Sequence, residues 1–447
     1  MLVDRKLLYP LFYIIFLWIS YLVIRNSFII LWEQISLITV FFLLMMLITI
    51  VLSYYLSLYL YVKMNKNNIK NVDLSLMNRR KIKIIYNYLL CVSIFYILLV
   101  SIRFFTELTY YNINFSLSSF VTLREITMEG SEFSQSILGI FSTIFSAFHI
   151  ILLIFVMWSN KQLTQREIKI AKFIFLIGSL TLLFGGGRNG IFISIVVVLL
   201  AIYFINFANL RKIKINKIKF FVLIVIISII FLYIFVARDE YNGLTLVDRI
   251  RLNEYNYNIK FNDTMINMLY SDNFIIKYGS YFIMYITFYL THSLTFLDLG
   301  FITDLPKNAY YFGAMEFYPV VFLLNKFGFD YITIDSIRQE WSFAGNYTTL
   351  FLPLYYDFGI IGSFVWIIFL VFLFVFNLLK FVYNKNLISF LLLIIVSLVF
   401  ILSPIYSFFS LGIFLPILVA FINVLMIVKF FNFQNKKSKL QEYKNEK

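Results

Sequence analysis

The sequence predicts an all-α polytopic integral membrane protein with about ten transmembrane helices and a large external loop. The chain of 447 residues is 61% hydrophobic and only 14% charged, and its mean hydropathy is +0.86. A soluble domain of this length would be far more polar. Several apolar runs reach the roughly 20 residues that a helix needs to cross a bilayer. The sequence lacks the short alternating segments that are typical of transmembrane barrels.

The spans follow from the apolar runs in chain order. The first run comes after Arg5 and Lys6 and has no small-residue cleavage site, so we expect an uncleaved span rather than a signal peptide. The predicted spans are 8–24, 35–60, 84–102, 136–157, 170–185, 190–207, 220–237, 358–379, 387–403 and 411–429.

Two further stretches, 278–297 and 311–327, are apolar enough to cross the membrane. Either both cross, which raises the count to twelve spans, or both lie in or on the outer interface. Polar residues interrupt the first stretch and favour the interface; they are Thr287, His292, Ser293 and Thr295.

The distribution of charge predicts the orientation of the chain. Segments 63–83, 208–219 and 429–447 carry seven, five and six basic residues. They alternate with segments poor in Lys and Arg, as the positive-inside rule requires. Both termini are therefore predicted in the cytoplasm. The net charge of +15 is expected to face anionic lipid rather than nucleic acid.

This topology divides the chain into four parts. They are a bundle of seven spans (1–237), a large external loop with interfacial helices (238–357), three further spans (358–429) and a basic cytoplasmic tail (430–447). The loop is rich in Tyr, Phe, Asn and Asp, a mixture that can stack on sugar rings and bind hydroxyls. The same mixture also fits an aromatic belt at the membrane interface. The single Cys91 lies in mid-span, so no intramolecular disulfide supports the loop.

A glycine-rich turn, Gly185 to Gly190, separates two apolar stretches. Its Arg188 is costly near the end of a span and needs a partner or a purpose. Consecutive N–H groups in such a turn, at Gly186 and Gly187, can form a nest that attracts anions. A guanidinium beside a nest is a candidate site for a phosphate or pyrophosphate. The alternative is a helical hairpin whose arginine extends to the lipid headgroups.

The remaining polar groups are predicted to gather at the outer face, and no Asp or Glu lies in mid-span. That distribution disfavours an ion-coupled transporter. The candidate site residues at this face are Arg238, His292, Arg338, Glu340, Asn346, Tyr347, Tyr356 and Asp357. The sequence carries no HExxH, Cys pair, EF-hand loop, DxD, Walker A or GxGxxG motif, so we predict neither a metal nor a cofactor.

The stretch Gly345-Asn-Tyr-Thr-Thr-Leu-Phe351, followed by Tyr355-Tyr-Asp-Phe-Gly-Ile-Ile-Gly362, resembles the signature of the Wzy-type oligosaccharide repeat-unit polymerases of O-antigen and capsule pathways. In that family an N-x-YT…DFGxxG stretch leads from the large external loop into the next span. The turn at Arg188 is similar to a G/S-R-x-G turn of the family, and the architecture resembles GT-C-like membrane glycosyltransferases. Family members often carry an arginine shortly after the N-x-YT stretch, where this chain has Leu352-Pro353.

The resemblance implies a reaction at the outer face of the bacterial cytoplasmic membrane. Two undecaprenyl-pyrophosphate-linked glycans meet there. The hydroxyl at the non-reducing end of one attacks the anomeric carbon of the other, and undecaprenyl pyrophosphate leaves. A chain-length regulator and a flippase are the implied partners, and no metal or cofactor is implied. The alternatives are an O-antigen ligase, which shares the donor, and a lipid-linked oligosaccharide flippase, which is not an enzyme.

The implied roles fall on the residues already singled out. Cations stabilise a leaving pyrophosphate; the candidates are Arg188, Arg238 and Arg338, with the backbone of Gly186 and Gly187. The attacking hydroxyl needs a base, for which the candidates are His292, Glu340 and Asp357. Asp357 has an equally good alternative role as the N-cap of the eighth span. The glycan itself would contact Asn346, Tyr347 and Tyr356.

Overall fold

The computed structural model describes residues 5–64, 79–115, 119, 122–123, 126, 137–182, 188–214, 216–302, 311–326, 328–329 and 348–445. Helices dominate these ranges. They are α1 (Tyr9–Arg25), α2 (Leu37–Met64), α3 (Arg79–Tyr110), α4 (Ile137–Ile144), α5 (Phe148–Ser159), α6 (Gln165–Thr181), α7 (Arg188–Phe207), α8 (Lys217–Tyr241), α9 (Leu246–Tyr257), α10 (Asp263–Met268), α11 (Phe274–Thr291), α12 (Ser293–Ile302), α13 (Tyr318–Lys326), α14 (Phe351–Asn384), α15 (Leu387–Leu402) and α16 (Phe414–Asn445). The strands are β1 (Ile30–Leu31) and β2 (Lys260–Phe261).

Long apolar helices confirm the predicted fold class, an all-α polytopic membrane protein. In the part of the chain that the structure describes, eight helical stretches are long and apolar enough to cross a membrane. They are Arg5–Arg25, Leu37–Met64, Arg79–Tyr110, Leu138–Gln162, Gly190–Phe207, Phe220–Tyr241, Phe351–Asn384 and Phe414–Phe431. The predicted spans 170–185 and 387–403 correspond to the shorter helices α6 and α15, of 17 and 16 residues.

The chain folds as two compact units, and each draws on distant parts of the sequence. The first unit consists of Met1–Asn67, Ile215–Phe376 and Ile395–Leu411. The second consists of Asn68–Lys214, Asn377–Ile394 and Gly412–Lys447. These units cut across the four consecutive parts expected from the topology, because α14 and α15 each contribute to both.

In the second unit, α3, α5 and α6 pack closely around His149. This side chain is fully buried and stacks on Tyr96 with 5.6 Å between the ring centres. A Cβ atom at Gly178 would come within 2.5 Å of the His149 ring. Glycine at this position of α6 therefore permits the close approach of α5.

In the first unit, a two-residue strand pair joins two connections that are far apart in sequence. β1 lies between α1 and α2, and β2 follows α8 and α9. They pair antiparallel, with Ile30 opposite Phe261. Both residues belong to one hydrophobic core, which includes Ile250, Tyr281 and Tyr285. Because β1 and β2 are hydrogen-bonded to each other, the two connections that contain them lie on the same side of the membrane. We call this side the loop side.

Helices α11 and α12 form a bent pair with contacts to the loop side. The two helices meet at 40°, around His292. Tyr281 of α11 donates to Asp239 at the end of α8. Asp298, in the middle of α12, accepts from both the N–H and the hydroxyl of Ser36, just before α2. At the bend, the Thr291 carbonyl accepts from Arg25 at the end of α1. The contacts of both helices and of the bend therefore lie on the loop side and favour the interfacial arrangement over a crossing span. Within the described residues 311–326 of the second apolar stretch, the helix is the nine-residue α13, which is too short to cross.

Candidate functional site

The end of α8 carries a cluster of charged and phenolic side chains. We call it the arginine cluster; it consists of Arg238, Asp239, Arg249, Tyr281 and Tyr285. Arg238 Nη2 donates to the Tyr285 hydroxyl at 2.7 Å. Arg249 Nε donates to the buried Asp239 carboxylate at 2.7 Å, and the Tyr281 hydroxyl donates to the same carboxylate. Tyr281 and Tyr285 lie one turn apart on α11, which places both hydroxyls opposite the end of α8.

The arginine cluster holds two guanidinium groups around one carboxylate. Arg238 Nη2 lies 3.9 Å from Asp239 Oδ1, and each arginine side chain is only 15% exposed. The cluster therefore carries one positive charge that Asp239 does not neutralise. Because burial excludes water, that charge acts on a nearby anion more strongly than a surface charge would. The arrangement can bind an anionic group.

A wall of aromatic rings extends from the arginine cluster to His292. The ring centres of Tyr285 and Tyr289 are 5.0 Å apart, and those of Tyr289 and His292 are 5.8 Å apart. Phe288 stacks on the imidazole at 5.0 Å. Tyr257 of α9 meets the imidazole edge-on at 6.2 Å. Burial raises the pKa of the Tyr257 hydroxyl above its ordinary value, so this hydroxyl keeps its proton at neutral pH.

His292 is buried at the bend between α11 and α12. Its Nδ1 lies 3.0 Å from the carbonyl oxygen of Phe288, one turn earlier. In the tautomer in which Nδ1 donates to this carbonyl, Nε2 is the nitrogen that accepts a proton. The bend therefore orients the imidazole as a proton acceptor would require, inside an aromatic shell.

Asp357 lies in α14 next to a break in the helix. Gly359 has φ +67° and ψ −173°, a backbone conformation that favours glycine. The Asp357 carboxylate is fully buried and accepts from the N–H groups of Met315 and Glu316, at 3.0 and 2.7 Å. The carboxylate thus holds segment 311–317 against α14. These hydrogen bonds come from that segment. An N-cap would instead accept from N–H groups in the first turn of its own helix.

Glu316 lies beside Asp357, and we call these two residues the carboxyl pair. The Glu316 side chain is fully buried. Its Oε1 accepts from the Ser407 hydroxyl at 2.6 Å, whereas Oε2 has no hydrogen-bond partner among the described residues. Burial raises the pKa of the Glu316 carboxyl well above its ordinary value, and the negative charge of Asp357 raises it further. Glu316 therefore keeps its proton under conditions in which an exposed glutamate is ionised.

Arg25 is a second buried cation on the loop side. It is the last residue of α1, is 3% exposed and lies with its Cζ 4.6 Å from the centre of the Trp32 ring. Its hydrogen bonds go to neutral oxygens, namely the Thr291 carbonyl, the Thr295 hydroxyl and the Glu33 carbonyl. Neither Arg25 nor Glu316 was among the candidates from the sequence. The signals were present, since Arg25 ends an apolar run as Arg188 does, and Glu316 is a lone acid in an apolar stretch.

The structure describes some of the predicted site residues and not others. Arg238 and His292 are joined through the tyrosines of α11, and Asp357 adjoins Tyr356, which is itself buried against Gly300 of α12. Arg188 is the first residue of α7 in the second unit, and its side chain lies outside the described part. The remaining candidates also lie outside the described residues; they are Gly186, Gly187, Arg338, Glu340, Asn346 and Tyr347.

Comparison with known proteins gives no family for this chain. No family model matches the sequence, and neither a curated protein nor a solved structure matches it. The polymerase resemblance therefore depends on the residues from Gly345 to Gly362 and on the turn at Arg188.

Proposed function

We propose that this chain polymerises undecaprenyl-pyrophosphate-linked oligosaccharide repeat units into O-antigen or capsular polysaccharide. The reaction would take place at the outer face of the bacterial cytoplasmic membrane, which we identify with the loop side. The proposal rests on the signature from Gly345 to Gly362 for the family, and on the arginine cluster for the chemistry.

The arginine cluster is the observation that carries the proposal. A glycosyl transfer from a lipid diphosphate needs positive charge where the leaving diphosphate develops its negative charge. The cluster offers two guanidinium groups at the end of α8, with one positive charge in excess. The bent pair α11–α12 next to it adds an aromatic wall of the kind that stacks on sugar rings.

In the proposed reaction, the acceptor hydroxyl oxygen bonds to the anomeric carbon of the donor. The bond from that carbon to the diphosphate oxygen breaks, and the diphosphate keeps the electron pair. The hydroxyl proton passes to a base, for which His292, Asp357 and Glu340 are the candidates. Arg238 and Arg249 would stabilise the leaving diphosphate through charge-assisted hydrogen bonds.

The test is the length distribution of the surface polysaccharide after deletion of the gene in its host. Complementation would use the wild type, Arg238→Gln, Arg188→Ala and Arg188→Lys. We expect deletion to collapse the polysaccharide ladder to single repeat units. Arg238→Gln and Arg188→Ala should lower polymer formation about 100-fold, the usual cost of removing one group that stabilises a developing anion. Arg188→Lys should restore little, because an ammonium group lacks the bidentate geometry of arginine.

The other outcomes of the same experiment would contradict the proposal. Full polymer with the arginine variants would remove the diphosphate-binding role. Polymer that accumulates on the lipid carrier without reaching the surface would indicate a ligase. Loss of both surface polymer and lipid-linked polymer would indicate a flippase. Each variant should first be shown by immunoblotting to be inserted in the membrane at the wild-type level.

A further inference from the structure

Arg25 is a buried positive charge whose hydrogen bonds all go to neutral oxygens. Its three hydrogen bonds use the Thr291 carbonyl at 3.2 Å, the Thr295 hydroxyl at 3.1 Å and the Glu33 carbonyl at 3.5 Å. No described carboxylate comes within ion-pair distance of the guanidinium. Asp298 is a nearby acid of α12, and its Oδ1 is occupied by Ser36. The charge of Asp298 stabilises the guanidinium, but none of the three hydrogen bonds of Arg25 goes to it, so part of the donor capacity of Arg25 is left for a ligand.

Arg25 does not have the arrangement of an arginine that merely extends to the lipid headgroups. Such a side chain keeps its charged end in water, whereas Arg25 is 3% exposed. The guanidinium is instead held over the Trp32 ring, inside the first unit. Its location at the end of α1 is on the loop side, as is that of the arginine cluster.

Trp32 adds a second unused donor at the same place. Its indole Nε1–H is buried and has no hydrogen-bond partner in the part of the chain that the structure describes. The guanidinium has five N–H groups, and its hydrogen bonds account for three of them. Two side chains in contact thus present spare donors, and the charge of the pair is positive. This donor set matches an oxyanion such as a phosphoryl group.

We propose that Arg25 and Trp32 form a phosphoryl-binding site, separate from the arginine cluster, that takes the diphosphate end of a lipid-linked substrate. The assignment to that substrate rests on the proposed function, in which two lipid diphosphates bind at once, one as donor and one as acceptor. One diphosphate would bind the arginine cluster, and the other would bind Arg25 and Trp32. The phosphoryl chemistry of the site itself does not depend on catalysis.

The experiment measures binding of inorganic pyrophosphate to the full chain in phosphatidylcholine nanodiscs, by isothermal titration. Wild type is expected to bind at two sites, and Arg25→Gln is expected to lose one of them. Arg25→Lys should bind there about tenfold more weakly, because the bidentate geometry is lost. Trp32→Phe keeps an aromatic ring under the guanidinium and removes only the N–H, so it should weaken the same site severalfold.

Arg103→Gln is the matched control. Arg103 is also a part-buried arginine of a long helix, but it is paired with Glu107 at 2.7 Å in the second unit. Its replacement should leave pyrophosphate binding unchanged. If Arg25→Gln does not yield monodisperse protein, the milder Arg25→Lys and Trp32→Phe variants decide the question.

Three results would overturn the inference. They are the absence of pyrophosphate binding by the wild type, unchanged stoichiometry and affinity in the Arg25 and Trp32 variants, and loss of the Arg25-dependent site alone, with the other site retained, when phosphatidylglycerol replaces phosphatidylcholine. The last result would assign the site to phospholipid headgroups instead of the diphosphate. The binding assay does not depend on polymer formation. A normal ladder in the deletion strain would contradict the proposed polymerase function, and pyrophosphate titration would still test the site at Arg25 and Trp32.

Discussion

The first unit buries ionisable groups in two opposite ways. In the arginine cluster, two cations share one carboxylate, and both arginines keep 15% of their side-chain surface exposed. In the carboxyl pair, Glu316 and Asp357 are both fully buried, and they accept hydrogen bonds from amides and a hydroxyl. The comparison indicates that the first region can receive an anion without rearrangement. The second can reduce its excess negative charge by keeping a proton on Glu316.

Removal of Asp239 is expected to have the largest effect on this comparison. Asp239→Asn would leave Arg238 and Arg249 without their shared counter-charge, and breaking a buried ion pair typically costs about 3–5 kcal/mol. The measurement is the free energy of unfolding in detergent micelles, followed by circular dichroism during titration with a denaturing detergent.

The control for Asp239 is Asp263→Asn. Asp263 pairs with Lys260, and both side chains are more than 60% exposed, so its loss should cost less than about 1 kcal/mol. Equal stability of the two variants would mean that Asp239 does not hold the arginine cluster together.

The carboxyl pair predicts that the stability of the protein depends on pH, through the proton that Glu316 keeps. The pKa of Glu316 is raised in the folded state, so the folded protein binds this proton more tightly than the unfolded chain. Its contribution to stability is therefore present at low pH and is lost as the pH rises from the unfolded pKa, near 4.3, towards the folded pKa, by up to about 1.4 kcal/mol per pH unit.

Glu316→Gln should remove that loss, because the amide is neutral at every pH. Unfolding free energies of wild type and variant, measured between pH 5 and pH 8, should diverge as the pH rises, with the wild type losing more stability. Parallel curves would show that Glu316 is ionised in the folded protein. Because the charges of Glu316 and Asp357 interact, the difference between the curves reports the titration of the carboxyl pair.

The smallest effect is expected for the link between the arginine cluster and the aromatic wall. Tyr285→Phe removes the hydroxyl to which Arg238 donates at 2.7 Å. Because Arg238 is part-exposed, water can replace the lost acceptor, and the cost should be about 1 kcal/mol. Tyr255→Phe is the matched control, since Tyr255 is 86% exposed and its change should be close to neutral. A loss as large as that of Asp239→Asn would mean that Tyr285 is essential to the cluster.

Hydropathy predicts most of the fold of this chain because crossing a bilayer constrains helix length and composition directly. It could not give the division into two units, since the units are defined by contacts among distant segments. It also left open whether 278–297 crosses. Only the contacts of Tyr281, Asp298 and the bend with residues of the loop side favour the interfacial arrangement.

The candidate site was predictable where the charge pattern itself carries the signal. Arg238 stands out in the sequence because it ends an apolar run. In the structure it donates to Tyr285. Arg25 ends an apolar run too, but its burial depends on Thr291 and Thr295, which are more than 260 residues away. By sequence, Asp357 fits both a helix cap and a catalytic base. Its contacts with Met315 and Glu316 could not be inferred, because no sequence pattern indicates that their segment packs against α14.

The pairing of Ile30 with Phe261 has a consequence for biosynthesis. β1 leaves the ribosome about 230 residues before its partner strand, which is roughly 12 to 46 s of translation at ordinary rates. During that interval the chain between α1 and α2 has an exposed strand edge and no strand to pair with, and edges of this kind are prone to wrong association. Completion of the first unit therefore follows the insertion of most of the second. A ribosomal stall within that window would leave the loop side of the first unit incomplete and accessible to quality-control proteases.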